Sequence, residues 1–397
     1  MKLLVICQYY HPEPFRISDI CEALVQRGHD VTVVTGVPNY PEGITYSGYE
    51  KGQKREEVIN GVKVHRCFTI PRKTGALYRF LNYYSYMFSS CAYVKKLPGD
   101  FDVVLVNQLS PVMMAQAGIA YGRKHNKKTV MYCLDLWPES LIAGGIQRGS
   151  FIYRVFHHIS KRIYTQMDRI LVTSREFVSY LHRQFGIEEA GIQHLPQYAE
   201  ELFNEPLRKP ENEGLHLTFA GNIGEVQSVE TILKAARRLK DAPVTFHIVG
   251  GGSDLERLQQ LARQWDLQNV IFYGRRPVSE MPEFYSKSDA MLVTLKADPV
   301  LSLTLPGKVQ SCMAAGKPII GAVDGETARI IEEANCGFCG KAEDAELLAQ
   351  NILRFANCGV KDQLAQNSRR FYEEHFCKEL FMETLEDALL CKQGKRL

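Results

Sequence analysis

Several turns in the second half of the chain carry residue types suited to binding and neutralising a phosphate. Gly221-Asn222-Ile223-Gly224 follows an apolar strand pattern and opens onto a helical one. Such a turn lets backbone N–H groups approach a phosphate, with the helix dipole adding favourable charge. Glycines at such a place also make turns for purely steric reasons, and both readings stay open. Gly250-Gly251-Gly252 ends the next strand in the same way and reads first as topology, with Gly250 as the candidate for close approach. Gly274-Arg275-Arg276-Pro277 puts two cations, Arg275 and Arg276, at the same sheet edge, either solvated or reaching a base or phosphate. The most informative stretch is Leu303-Thr304-Leu305-Pro306-Gly307-Lys308, leading into a helix and Gly316-Lys317-Pro318. Proline favours a helix start, and Thr304 or Gly307 can leave N–H groups for an anion. Lys308 in the first turn opposes the helix dipole, as a cation waiting for a diphosphate would; a solvated lysine is the plainer alternative.

The first half holds a second set. Asp135-Leu136-Trp137-Pro138-Glu139 sits just past a strand end, where ligands of open α/β sheets collect. Asp135 is the candidate base toward an acceptor, and Trp137 an apolar platform for a sugar. The competing reading is a helix-capping aspartate beside a structural tryptophan. His11, Glu13 and Arg16 lie in the first loop. Asp100-Phe101-Asp102 mimics a metal-binding Asp-x-Asp, yet it begins a strand at the wrong end of the sheet, so no metal is expected there.

Short apolar strands alternate with amphipathic helices in both halves, which predicts two α/β, doubly wound parallel-sheet domains. Strands are expected at Leu3–Cys7, Val31–Thr35, Val62–Arg66, Val103–Asn107, Thr129–Leu134 and Arg169–Thr173, then at Leu215–Ala220, Val244–Val249, Asn269–Tyr273, Ala290–Leu295 and Pro318–Ala322. The expected division is an N-terminal domain at 1–203, a Pro- and Glu-containing linker at 204–214, a C-terminal domain at 215–375 and a closing helix at 376–397 that packs back on the first domain. A length of 397 residues suits two domains. The net charge of +3 and the lack of an arginine-rich tract argue against a nucleic-acid partner. Eleven dispersed cysteines suit reduced thiols and a cytoplasmic location; the single Cys336-Gly-Phe-Cys339 reads as incidental packing. The apolar start MKLLVICQYY is too short for a signal peptide and no run is long enough to span a bilayer.

The whole chain resembles the retaining family-four glycosyltransferases, in particular the bacterial surface-polysaccharide branch with the N-acetylfucosamine transferases of O-antigen synthesis. The residues that carry the resemblance are Gln8-Tyr9-Tyr10-His11-Pro12-Glu13, Arg27-Gly28-His29-Asp30, Val37-Pro38-Asn39-Tyr40-Pro41-Glu42-Gly43, Asp135-Leu136-Trp137-Pro138-Glu139, Gly221–Gly224, and Leu305-Pro306-Gly307-Lys308 with Met313-Ala314-Ala315-Gly316-Lys317-Pro318. The resemblance implies a GT-B fold, two Rossmann-like domains facing a cleft, with the donor nucleotide on the C-terminal one. It implies no cofactor and no obligatory metal, a nucleotide-sugar donor that is UDP-linked, and a polyprenyl-diphosphate-linked glycan as acceptor. Lys308 and Arg16 would stabilise the leaving diphosphate. Donor contacts would come from Gly221, Asn222, Ile223, Gly224, Gln227, Gly250, Arg275, Arg276, Thr304, Leu305, Pro306, Gly307, Ser311 and Glu326, and acceptor contacts from His11, Glu13, Trp137 and Glu139.

This chain departs from the family pattern in two respects that bear on chemistry. Two glutamates with seven residues between them usually meet the donor ribose and sugar; the matching positions here are Leu303 and Ser311. The arginine and lysine common after the first strand of the donor domain appear as Asn222 and Gln227. Two rival functions therefore stand beside transfer: a sugar-nucleotide 2-epimerase of the same fold, and a scaffold without catalysis. Finally, Arg72, Lys73, Arg79, Lys95 and Lys96 flank an aromatic segment with Leu77, Phe80, Leu81, Tyr84, Met87, Phe88, Cys91 and Val94 at helical spacing. Such a helix suits either a core face or the membrane interface, and the family's lipid-linked acceptors favour peripheral association with the inner membrane.

Overall fold

The computed structural model of the chain describes residues 1–142, 145–203, 207 and 213–390. Most of the stretch 204–214 read as a linker lies outside the described residues. The chain divides into two compact units, Met1–Leu195 with the residues from Met382 onward, and Pro196–Phe381.

The first unit runs β1 (Lys2–Ile6), α1 (Ile17–Gln26), β2 (Asp30–Gly36), β3 (Glu56–Ile59), β4 (Val62–Cys67), α2 (Ala76–Val94), β5 (Val103–Gln108), α3 (Gln116–His125), β6 (Lys128–Cys133), α4 (Phe151–Tyr164), β7 (Arg169–Val172), α5 (Arg175–Phe185) and β8 (Ile192–His194). Its sheet has the order β3-β4-β2-β1-β5-β6-β7-β8. All neighbours are parallel except the β3–β4 hairpin. Leu3 to Ile6 and Val103 to Val106 are almost wholly buried, as expected of parallel strands covered on both faces. Strand order reverses between β1 and β5, so the loops after these two strands flank the crevice where ligands of such sheets bind.

The second unit runs β9 (Leu215–Ala220), α6 (Val229–Arg238), β10 (Val244–Val249), α7 (Leu255–Gln264), β11 (Val270–Gly274), α8 (Met281–Lys287), β12 (Ala290–Thr294), α9 (Gly307–Ala314), β13 (Ile319–Ala322), α10 (Gly325–Glu333), β14 (Gly337–Gly340), α11 (Ala345–Asn357), α12 (Lys361–His375) and the start of α13 (Lys378–Leu389). Its all-parallel sheet, β11-β10-β9-β12-β13-β14, reverses order between β9 and β12. The loop after β9 is Gly221–Gly224, and the loop after β12 leads to Lys308. Both phosphate-binding candidates thus flank one switch point.

From Met382, α13 belongs to the first unit, where Glu386 accepts from Arg27 Nη1 at 2.9 Å and pairs with His29 Nε2 at 2.7 Å. Three strands escape the sequence reading. β3 pairs with β4 across Asn60-Gly61, both at positive φ (48° and 84°), the turn chemistry of a tight hairpin. β8 has only three residues. β14 is the segment Gly-Phe-Cys-Gly, whose glycines suppress any strand signal; a Cβ on Gly337 would lie 1.8 Å from the Ile319 carbonyl oxygen. The Cys336–Cys339 pair is therefore an edge strand and its approach, with Cys336 buried.

A polar chain crosses one face of the second sheet. Tyr273 Oη lies 2.8 Å from His247 Nδ1, His247 Nε2 lies 2.9 Å from His216 Nδ1, and His216 Nε2 reaches the Glu213 carbonyl oxygen at 3.1 Å. Burial, helped by His216 and Lys287, pushes the His247 imidazole down to about 4 from an ordinary value of 6.5. The folded unit keeps this ring neutral while the unfolded chain protonates it below 6.5. Stability is therefore lost as pH falls from about 6.5 toward 4. A thermal-melt series over that window should be flatter for His247→Gln; an unchanged slope would remove His247 as its source.

Candidate functional site

In the second unit the site grows from two loops pressed together. A Cβ on Gly250 would fall 1.8 Å from the Gly221 carbonyl oxygen, and one on Gly252 2.2 Å from that of Ile223. The Gly221 N–H donates to Val249 O (3.0 Å) and that of Ile223 to Gly251 O (2.9 Å). This corrects part of the sequence reading. The main chain consumes two of the four loop amides, and the glycines are there chiefly so that the loops can touch. Of the four, the Asn222 and Gly224 amides are left for an anion.

Lys308 rests on that loop pair. Its Nζ would be 3.2 Å from a Cβ on Gly221, a tight approach that the glycine relieves. It donates to Gln227 Oε1 and sits 4.0 Å from the centroid of the Phe219 ring. Thr294, at the end of β12, locks Gln227 by donating to its carbonyl at 2.6 Å. No carboxylate pairs with Lys308 among the described residues. Burial pushes its amine down to about 7 from 10.5, against the opposing influence of Cys312. The side chain is partly buried. A cation held over an aromatic face and a neutral amide, with its own charge disfavoured, is poised to gain from an incoming anion.

Around it, Leu305 is buried and Pro306 precedes the first residue of α9, the exposed Gly307. Thr304 is engaged locally, its hydroxyl donating to Leu301 O at 2.8 Å and its carbonyl accepting from Thr327 at 3.1 Å. Glu326 is buried and paired with Arg329 in the first turn of α10. Arg276 turns to Tyr273 O (3.2 Å) and to Glu280 (4.0 Å), whereas exposed Arg275 packs by the Gly251 backbone with no ion pair among the described residues. Ser311, at a position where the resemblance expects a glutamate, donates to Glu200 Oε2 at 2.6 Å. A carboxylate thus reaches that position from the segment before β9. Sequence reasoning missed Glu200, since it lies 111 residues from its partner.

In the first unit, Asp135 Oδ2 accepts from both the N–H and the hydroxyl of Ser110, each at 3.0 Å. Ser110 follows β5, one of the two strands at the switch point. Burial raises the Asp135 carboxyl, while Ser110 and nearby Arg72 oppose the shift. Arg16 stands at the start of α1, close enough to Tyr132 at the end of β6 to act on its hydroxyl. His11 is exposed; its N–H donates to Ser18 Oγ (3.0 Å) and its carbonyl accepts from Arg66 (2.7 Å).

Three acceptor-side assignments need correcting. Trp137 is buried, its Nε1 donating to Ser110 Oγ at 2.8 Å and its ring edge-on to Phe156, so it braces Asp135 through Ser110 and offers no open platform. Glu139 is buried beneath Tyr153 (2.9 Å), Tyr180 (2.7 Å) and Arg148 (2.7 Å). Glu13 is buried and accepts the N–H groups of Asn39 and Tyr40, both at 2.8 Å, and of Tyr10 at 3.3 Å. Burial lifts its carboxyl to about 7 even against those bonds. All three are built into the protein interior. The Asp100–Asp102 pair is likewise engaged: Asp100 accepts from Lys2 Nζ at 2.9 Å and Asp102 from the Lys2 N–H at 2.7 Å, at the amino end of β1.

Comparison with known proteins sets these sites in a family. Residues 15–196 match the glycosyl transferase 4-like domain and residues 200–371 the model described as glycosyl transferases group 1. An Escherichia coli (strain K12) protein assigned as a colanic acid biosynthesis glycosyl transferase, WcaI, is 27% identical over 80% of this chain and 82% of its own. Pseudomonas aeruginosa WbjE, assigned as a glycosyltransferase, is 26% identical over 72% and 74%. Among solved structures, sucrose-phosphate synthase from Thermosynechococcus elongatus superposes with a TM-score of 0.74 over 99% of this chain and 98% of its own at 17% identity. Anabaena HepE, solved with UDP and glucose, gives 0.69 over 98% and 99% at 14% identity. At such identities the likeness is one of fold.

Proposed function

The chain belongs to the group 1 glycosyltransferases and has their GT-B fold, and on that premise we propose that it moves a sugar from a UDP-linked donor to a polyprenyl-diphosphate-linked glycan, with retention, in bacterial surface-polysaccharide synthesis. The sugar is an N-acetylated amino or deoxyamino hexose. The observation that carries the reading is Lys308: a cation without a carboxylate partner among the described residues, resting on a glycine loop at a sheet switch point. Its amine, the Asn222 and Gly224 amides and the start of α9 receive the diphosphate, whose growing charge on departure they stabilise. The ribose hydroxyls meet Glu200 and Ser311, which together supply the carboxylate contact absent from the chain's own pattern. Asp135 accepts the proton of the acceptor hydroxyl.

Relatives named for colanic acid and other glycosyl transfer support transfer over epimerisation. No described helix is long and apolar enough to cross a membrane. The basic-flanked α2, with Leu77, Phe80 and Phe88 exposed, supports a peripheral position on the cytoplasmic face of the inner membrane.

The direct test is a thermal-shift series with UDP, GDP and dTDP. A nucleotide at a hundredfold excess over its Kd should stabilise by about 2.7 kcal/mol, a rise of several degrees. UDP alone should do this; no shift with any of the three would sink the donor assignment. Incubating a UDP-N-acetylhexosamine without acceptor should yield no new sugar, since only an epimerase makes one.

A further inference from the structure

We propose that Arg72 binds the phosphate of the acceptor, an anionic amphiphile whose apolar chain lies along α2. This rests on the lipid-linked acceptor reading above.

The motif Val37-Pro38-Asn39-Tyr40-Pro41-Glu42-Gly43 finds its purpose here. Asn39 is buried, and its Oδ1 accepts the Arg72 N–H at 2.8 Å while its Nδ2 donates to Val37 O at 2.8 Å. Asn39 is itself fixed through the buried Glu13, which takes its N–H and that of Tyr40. Gly43, at φ +70°, leaves room for the Arg72 carbonyl; a Cβ there would be 2.3 Å from that oxygen. From the other side, fully buried Asn82 of α2 donates to Ile70 O at 2.7 Å and accepts from Gln8 Nε2 at 2.7 Å, and Ser85 Oγ accepts the Ile70 N–H at 2.9 Å. Two buried amides and a buried carboxylate therefore define the backbone of residues 70–72.

What they hold is a guanidinium set 5.9 Å from the Tyr40 ring and 5.7 Å from the Tyr83 ring, within hydrogen-bonding reach of the Tyr9 hydroxyl. Arg72 is partly exposed and forms no ion pair among the described residues. An arginine serving only the fold ordinarily answers a carboxylate; one pinned between aromatic rings with no carboxylate on its fork among the described residues matches a phosphate. Asp135 feels the charge of Arg72 without bonding to it, so the anion and the candidate base share one neighbourhood.

An apolar stripe starts beside this cation. Leu77, Phe80 and Phe88 are 66%, 50% and 65% exposed, and the Phe80–Tyr84 and Tyr84–Phe88 rings meet at a tilt with centroids 4.3 and 6.2 Å apart, as i,i+4 neighbours do. The residues of α2 include no carboxylate to repel an anion. A phosphate at one end and an uncharged ridge leading from it fit a single molecule that has both.

The test uses the full chain with farnesyl diphosphate, farnesol and pyrophosphate as separate probes in calorimetry, and UDP as control. The wild type should bind farnesyl diphosphate more tightly than either part alone. Arg72→Met should weaken it by at least about tenfold, with farnesol and UDP unaffected. Arg72→Lys, which keeps charge without the fork, should fall between the two and covers the case in which the methionine variant fails to fold. Undiminished farnesyl diphosphate binding by both variants overturns the proposal, as does a loss that appears for UDP instead. In turnover, the acceptor KM should rise while the donor KM stays constant. Failure of the wild type to bind UDP at all would count against the donor reading and leaves the Arg72 comparison readable on its own.

Discussion

Lys308→Met should give a protein that melts at a higher temperature than the wild type and transfers sugar about a hundred- to a thousandfold more slowly. The two effects have one origin. Folding sets the amine over the Phe219 ring and against Gln227 with no carboxylate in reach among the described residues, so the empty protein carries an uncompensated charge that a methionine of similar length would remove. The departing diphosphate needs that charge, so removing it stabilises the fold and disables the chemistry. pH separates this from a general packing effect. The folded amine titrates near 7 and the unfolded one near 10.5. Between those values the unfolded chain binds more protons, so wild-type stability should climb with pH from about 7 to 10. Below 7 the amine is charged in both states and contributes no slope. Melting curves of the two proteins should converge as pH rises through this window. A variant that melts lower at pH 7, or that turns over normally, would remove Lys308 from the donor site.

Asp135→Asn should lower kcat by about a hundred- to ten-thousandfold, the span of a positioned general base, with UDP affinity unchanged. The carboxylate is held by two donors from a single residue, Ser110, which Trp137 in turn holds through its indole N–H. An asparagine fits the same space and can still accept one of those bonds, so loss of the fold is not the expected outcome. The wild-type carboxyl lies above the ordinary carboxylate range because of burial. Activity should therefore rise with pH through that raised value as the base form appears. Removing the hydroxyl by Ser110→Ala takes away one of two bonds that favour the charged form, so it should move this acid limb to higher pH. An unmoved limb, or full activity in the asparagine variant, would assign the proton to another group.

The parallel strands were legible because burial on both faces demands unbroken apolar runs, as in Leu3–Ile6 and Val103–Val106. Strand β3 was masked by its charged, exposed residues, although the Asn60-Gly61 turn that joins it to β4 was a usable signal. Lys308 could be found from sequence because a cation in the first turn of a helix is locally odd. Trp137, Glu13 and Glu139 were misread for the converse reason. Their residue types suit ligand contact, but whether a side chain faces a crevice or the interior depends on partners such as Phe156, Asn39 and Tyr180. Arg72 and Glu200 acquire meaning only through Asn39, Asn82 and Ser311, brought together by the fold.

The ion pairs of Glu386 with Arg27 and His29 span 359 and 357 residues. They join the turn after α1 to a helix made only after the whole second unit. The nascent first unit can lay down its sheet early, yet it waits for residues 196–381 to be made before α13 arrives. The first unit is closed only after the second has been made, so a polypeptide stalled after residue 195 lacks the helix that Arg27 and His29 hold.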